Sequence, residues 1–358
     1  MAVHFHSLTV KKVYKETPDC VIITFDIPES LKELFQYVHG QSVTLKKNID
    51  GEQIRRSYSI CSAPFENKLS VAVKRAGKGK FSTYVNAHLQ KGDLVDVLPP
   101  TGRFNTALKT ANKKSYLAFA AGSGITPIIS IIKTTLATEP ASAFTLVYGN
   151  RNRGSIIFFE ELEGLKNKYV ARFNFINILS REKTGASINS GRINSEKLRE
   201  LQKLVDYKSM DEVFICGPYE MLFLVKEFLE QQGVDQKKIH FELFTTLGSG
   251  PSKNVQSHRP VNAGAKSKIT IQSDGRSIDF DLAFNSGSIL DAALKQGADL
   301  PFACKGGMCC TCRARLTEGE VRMDLNYALD AEELAKGFIL TCQSHPLTER
   351  VVIDFDSR

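Results

Sequence analysis

Nowhere in its 358 residues does this sequence offer about 20 consecutive apolar residues, so no transmembrane helix is expected. Its start, MAVHFHSLTVKKVYKE, lacks the apolar run behind a basic patch that marks a secretory leader. Internal repeats are missing, and low complexity is confined to one stretch near residue 250. Basic residues are scattered and no nucleic-acid-binding motif occurs, so the net charge of +8 does not argue for a nucleic-acid partner. No side chain stands out as a nucleophile or a strong acid or base. What is left is a chain of ordinary globular composition, 42% hydrophobic and 24% charged. At one domain per ~150 residues it is long enough for two or three domains, and the cytoplasm is its expected compartment.

Charge is unevenly placed. From Ser267 onward there are 10 Lys and Arg against 14 Asp and Glu, a net of −4, which leaves +12 on the preceding residues. A basic body joined to an acidic tail favours mutual docking. The first hundred residues carry short alternating runs (SLTVKKVY, CVIITFDI, QSVTLKKN, LSVAVKR, DLVDVLPP) separated by turn formers, the pattern of a β-barrel or sandwich. From about Ser115, apolar strands such as SYLAFAA, AFTLVYGNR and DEVFICGP alternate with amphipathic stretches such as IISIIKTTLA and MLFLVKEFLEQQG, which predicts a doubly wound parallel α/β sheet. A Gly-, Ser-, Pro- and Asn-rich stretch between Thr245 and Lys266 reads as a flexible linker. Beyond it, KITIQSDGRSIDFDL predicts a hairpin turning at Asp274-Gly275, and SILDAALKQGA a short helix closed by Gly297. The expected domains are 1–108, 109–245 and 267–358, with the linker at 246–266.

Four of the eight cysteines fall in the nine-residue loop CKGGMCCTC, and another follows in TCQSHP. Four residues separate Cys304 from Cys309, two separate Cys309 from Cys312, and 29 lie between Cys312 and Cys342. This C-x4-C-x2-C…C spacing is that of plant-type [2Fe–2S] ligation, in which three thiolates from a tight loop and one from a distant segment converge on two irons. Gly306 and Gly307 let the backbone approach the sulfides. Zinc sites use two C-x2-C pairs, and only one is present here. Disulfides suit a different compartment, and a catalytic thiol needs no such company. Cys310 falls off the register and reads as a small non-ligating residue.

The last ninety residues, with PFACKGGMCCTCRARLTEGEV and LTCQSHP, resemble a plant-type [2Fe–2S] ferredoxin domain, an α+β fold of β-grasp type. RRSYSICSAP and GKGKFSTYV resemble the flavin barrel of the ferredoxin–NADP reductase superfamily. The resemblance implies FAD, with Arg56 on its pyrophosphate, Tyr58 stacked on the isoalloxazine and Ser59 near N5. It implies that Gly79, Lys80, Phe81 and Ser82 offer backbone N–H groups to the pyrophosphate at a helix start. Taken alone, R-x-Y-S is a weak match, and GKGK equally reads as a solvated basic turn.

AAGSGITP follows a strand and opens a helix, the context of a phosphate loop, but Pro127 displaces the third glycine of G-x-G-x-x-G. It matches the superfamily's G-x-G-I-T-P, which brings Gly122, Gly124 and Thr126 to the flavin–nicotinamide junction. In FICGPYEM, Cys216, Gly217 and Pro218 resemble the family's C-G-P motif, whose cysteine faces the nicotinamide, although a lone buried cysteine is usually inert core. In HFELF, Glu242 and Phe244 are candidates to lie over the flavin. Ser180 and Arg181, just past a strand, suit a 2′-phosphate and so NADPH over NADH; Glu182 beside them points the other way.

The module order resembles the reductase components of multicomponent bacterial oxygenases, above all the phenylacetyl-CoA epoxidase system. The implied function is passage of electrons from NADPH through FAD and a [2Fe–2S] cluster to an oxygenase partner, with Ser59, Cys216 and Glu242 nearest the chemistry. Another hydroxylase, a desaturase or a soluble ferredoxin as acceptor stays open. So do FMN in place of FAD and an iron–sulfur redox sensor in place of an enzyme. A swinging ferredoxin domain on the linker is the expected carrier.

Overall fold

A computed structural model of the chain describes residues 4–244, 265–284 and 286–357. Contacts divide them into two units: among the described residues the larger holds 7–54 and 58–244, and the smaller holds 265–284 and 286–357 together with 4–6 and 55–57. The predicted linker falls outside the described residues except at its end, where Lys266 already opens a strand.

The larger unit begins with β1 (His6–Thr17), β2 (Cys20–Asp26), β3 (Ser42–Ile49), β4 (Glu52–Ser59), β5 (Leu69–Lys74), the helix α1 (Lys80–His88) and β6 (Leu94–Val97). The sheet order is β4-β3-β6-β1-β2-β5, and a bridge from Ile60, directly after β4, to Val71 of β5 joins its two ends into a barrel. Alternation along the strands sends Leu8, Val10, Ile23, Val43, Leu45, Val71 and Val73 into one core.

The second layer follows as β7 (Ser115–Ala121), α2 (Ile125–Thr138), β8 (Ala143–Asn150), α3 (Phe159–Lys168), β9 (Phe173–Leu179), α4 (Ser195–Leu201), β10 (Glu212–Gly217), α5 (Tyr219–Gln231) and β11 (Ile239–Leu243). All five strands are parallel, in the order β11-β10-β7-β8-β9. The chain therefore winds one way from β7 and the other way from β10, and the carboxyl ends of these two neighbours form the crevice where such sheets bind ligands. Helix α2 is buried almost all round, as its apolar sequence requires. One core cluster joins it to the sheet and to Cys20, Ile22, Cys61 and Ala72 of the barrel.

In the smaller unit, β12 (Lys266–Ser273) and β13 (Arg276–Ala283) form the expected hairpin, with Asp274 and Gly275 at φ of 55° and 68° in its turn. After α6 (Ile289–Lys295) come β14 (Arg313–Glu318), β15 (Val321–Met323), α7 (Ala331–Ala335), β16 (Phe338–Leu340), β17 (Ser344–Pro346) and β18 (Arg350–Asp354). The mixed sheet β13-β12-β18-β14-β16 carries α6 on one core, beside a small β15–β17 ladder. Among the described residues no helix is long and apolar enough to cross a membrane.

Candidate electron-transfer sites

Strand β4 delivers the R-x-Y-S residues, Tyr58 and Ser59 in the larger unit and Arg56 and Ser57 in the smaller. Arg56 is exposed and donates to the Arg55 carbonyl at 2.7 Å. Tyr58 is half-buried, its ring 5.8 Å from that of Phe81 at a tilt of 32°. Phe81 lies in the barrel core, so of the four residues at the start of α1 it supplies packing with its side chain and only backbone toward a ligand. Ser82 is likewise occupied, accepting from Ala76 N at 3.0 Å and donating to the Gly79 carbonyl at 3.2 Å. Gly79 precedes the helix without a capping side chain, and a Cβ there would meet Ser82 Oγ at 2.6 Å. Lys80 is exposed and pairs with Glu52 at 2.5 Å. An uncapped, glycine-started helix beside a half-exposed tyrosine ring fits a flavin pyrophosphate and ring.

Ser59 closes β4, and its Oγ donates to Glu242 Oε2 at 2.9 Å across 183 residues of sequence. Glu242 stands beside Cys216 in the parallel register of β10 and β11. Cys216 has no exposed surface; burial, with the Glu242 charge second, pushes its thiol well above the ordinary range. The crevice between β7 and β10 is closed by glycine. A Cβ on Gly124 would fall 2.1 Å from the Cys216 carbonyl, and one on Gly217 would fall 2.7 Å from Met221. Gly122, at φ of 55°, is held by Tyr148 Oη donating to its carbonyl at 2.8 Å. Thr126 lies buried in the first turn of α2, Pro218 caps α5, and Phe244, half-buried, packs on the α/β core.

Ser180 and Arg181 extend the β8–β9 ladder past its end, their N–H groups donating to the carbonyls of Asn150 and Arg151 at 2.9 and 2.8 Å. The Glu182 carboxylate accepts from Arg153 N at 2.7 Å. The acidic side chain that points toward NADH in the sequence is thus engaged by the loop after β8. A cleft of about 1370 Å³ lined by Lys11, Tyr14, Thr24, Tyr37, Ser70 and Lys133 contains none of the predicted flavin or nicotinamide residues.

In the smaller unit the four predicted ligands fall into two pairs: Cys304 hydrogen-bonds Cys309, and Cys312 hydrogen-bonds Cys342. The neighbouring thiol favours the thiolate in each pair, holding Cys309 below the ordinary thiol range beside Cys304 and Cys342 below it beside Cys312. Among the described residues no three His, Cys, Asp or Glu side chains converge where one ion could sit. Two thiols at each of two points suit two sulfide-bridged irons better than one zinc. Backbone N–H groups surround the sulfurs: Gly306 donates to Cys304 at 3.3 Å, Met308 bonds Cys304, Thr311 bonds Cys309 and Gly307 bonds Cys342. Gly307, at φ of 74°, allows this, since a Cβ would sit 2.8 Å from the Leu325 carbonyl. Cys310, at φ of 51°, turns its thiol to the Ala328 carbonyl at 3.3 Å, away from the pairs.

Sequence families match the same three regions: an oxidoreductase FAD-binding domain over residues 7–106, an oxidoreductase NAD-binding domain over 119–227 and a 2Fe-2S iron-sulfur cluster binding domain over 271–347. Fold and sites together define an oxidoreductase that moves electrons from NAD(P)H through a flavin to a [2Fe–2S] cluster. The chain is 45% identical to one of the subunits of the 1,2-phenylacetyl-CoA epoxidase of Escherichia coli K12, over 99% of this chain and 98% of that one. It is 32% identical to the ferredoxin reductase component of the 3-ketosteroid-9-alpha-monooxygenase of Rhodococcus rhodochrous, over 97% and 96%. Phthalate dioxygenase reductase shares the fold, with a TM-score of 0.59 at 24% identity over 98% of both chains. The protein belongs to this family of three-domain oxygenase reductases.

Proposed function

We propose that this reductase oxidises NADPH in the cytoplasm and delivers single electrons to an oxygenase of the phenylacetyl-CoA epoxidase type. The flavin, when bound, would take up a hydride from the nicotinamide and release its electrons one at a time to the [2Fe–2S] cluster. The observation that carries the reading is the Ser59–Glu242 hydrogen bond, which ties the flavin strand of the barrel to the strand beside Cys216. Around it, Arg56 would clamp the pyrophosphate with its planar fork, Tyr58 would stack on the ring, and the start of α1 would receive phosphate oxygens. Ser59 would hold a hydrogen bond at the flavin edge, with Glu242 orienting its hydroxyl. Gly124 and Gly217 would keep the crevice narrow enough to press the nicotinamide toward Thr126 and Cys216, whose full burial means that its cover moves when nucleotide enters. Ser180 and Arg181 would hold the 2′-phosphate, and the hydrogen bond from Arg153 N to Glu182 supports this by engaging the carboxylate that would favour NADH. Cys304, Cys309, Cys312 and Cys342 would hold the cluster.

Anaerobic titration of the reconstituted protein tests this reading. Flavin absorbance should bleach with NADPH at a lower concentration than with NADH, and cluster absorbance should follow. A colourless protein inert to both nucleotides would sink the reading; equal response to both would remove its NADPH preference.

A further inference from the structure

Helix α2 carries one charge in an otherwise uncharged, buried stretch. Lys133 is 7% exposed, and its Nζ lies 2.9 Å from Glu66 Oε2 and 2.9 Å from Glu161 Oε1. The two carboxylates come from different elements: Glu66 from the turn that follows β4 in the barrel, Glu161 from α3. A buried ammonium needs such partners, because burial alone would neutralise it; here burial opposes the charge and the two carboxylates outweigh it. Glu66 is itself fixed, accepting from Ala63 N at 2.6 Å and pairing with Lys68 at 3.2 Å. One helical turn before Lys133, the fully buried Ser130 donates from Oγ to the Ser62 carbonyl at 2.7 Å.

Thr126, Ser130 and Lys133 stand four and then three residues apart, so they form one stripe on α2. Two of them, Ser130 and Lys133, meet a single stretch of barrel chain at Ser62 and Glu66. Three residues before Ser62 lies Ser59, the residue bonded to Glu242. Along the helix, Lys133 is ~10 Å from Thr126; the chain from Ser59 to Ala63, if fully extended, would span ~13 Å at most. Ser130 and Lys133 therefore tie α2 to this barrel stretch within about two helical turns of Thr126.

We propose that Lys133 is a positioning residue for hydride transfer, registering α2 and its Thr126 against the barrel segment that carries Ser59. This rests on the reductase function proposed above. Without the ammonium, Glu66 and Glu161 repel, the turn after β4 loses its tie to α2, and Ser59 is free to drift from the crevice lined by Cys216. Binding of the nucleotide's 2′-phosphate, given above to Ser180 and Arg181 beyond β9, should be left intact.

The test uses the full-length holoprotein with NADPH deuterated at the transferred position and ferricyanide as acceptor. Bleaching of the wild-type flavin by NADPH checks the underlying function, and only the variants check Lys133. Lys133→Met should lower kcat about tenfold or more through misalignment, while KM for NADPH stays within about twofold because uniform binding is untouched. Its primary deuterium isotope effect should rise, and Lys133→Arg should recover most of the rate. Wild-type kcat and isotope effect in a flavin-replete Lys133→Met protein would overturn the proposal. So would a loss that disappears when rates are expressed per bound flavin. Should that variant not fold, Glu161→Gln, altered where the side chain is 38% exposed, reads out the same way: unchanged kcat and isotope effect reject the positioning role.

Discussion

His39 shows how much one buried side chain commits the larger unit to a pH range. It is 6% exposed, one ring nitrogen bonds the Thr106 backbone, and Nε2 has no partner among the described residues. Burial lowers its pKa from 6.5 to about 4. The unfolded chain therefore takes up this proton below about pH 6.5 and the folded one only near 4, so stability falls as pH falls through that window and levels off beneath it. The span corresponds to about 3 kcal/mol. Urea midpoints measured from pH 7 to 4 should decline less steeply in His39→Gln than in wild type, and parallel declines would reject the assignment. At this scale the sequence was informative about type and silent about pairing. Ser59 and Glu242 were each legible from motifs, but a bond across 183 residues has no local signature. Lys133 offered one clue, a single charge inside IISIIKTTLA, which is rare in a buried helix unless the charge is paired.

Between elements, the joint of β7 and α2 against β10 is the tightest packing in the site. Because a Cβ on Gly124 would overlap the backbone carbonyl of Cys216, no rotamer change relieves Gly124→Ala, and the start of α2 must move. Denaturant unfolding should show a loss of about 3 kcal/mol, at the upper end of overpacking costs, whereas Gly122→Ala has open space and pays only for its positive φ. Equal losses for the two would contradict the close approach. Long elements with a clear period were readable: the barrel strands, the parallel sheet, the Asp274–Gly275 turn. Short ones were not. Helix α4 has only seven residues, mostly polar, and its one signal is Asn194, whose side chain accepts from Lys197 N at 2.9 Å as an N-cap. The three-residue strands β15, β16 and β17 are shorter than any period can show.

As a whole the molecule is two units with their own cores: in the larger a barrel core and one shared by barrel and α/β layer, in the smaller one beneath the cysteine loop. Each should tolerate damage to the other's cofactor site. Cys342→Ser removes one thiol of a pair, so iron and cluster absorbance should be lost, while flavin reduction by NADPH, followed in single-turnover mixing, should stay within about twofold of wild type. A flavin that no longer accepts hydride in this variant would show that the sites are not separable. The cysteine spacing made the second unit readable at once, because ligand geometry is written in a few adjacent residues; the division of those thiols into two pairs emerged only in three dimensions.

The bridge between Ile60 and Val71 has a consequence for the protein in concentrated solution. By joining the chain after β4 to β5 it shortens, among the described residues, the row of backbone donors and acceptors on which a second chain could add a strand. The smaller unit does end in open strands, and it defends them differently: β16 is three residues long, and β13 sets Arg276, Asp279 and Asp281 along its exposed length. An electron carrier that must meet a partner repeatedly is thereby protected from sticking to copies of itself, by closure in one unit and by charge in the other.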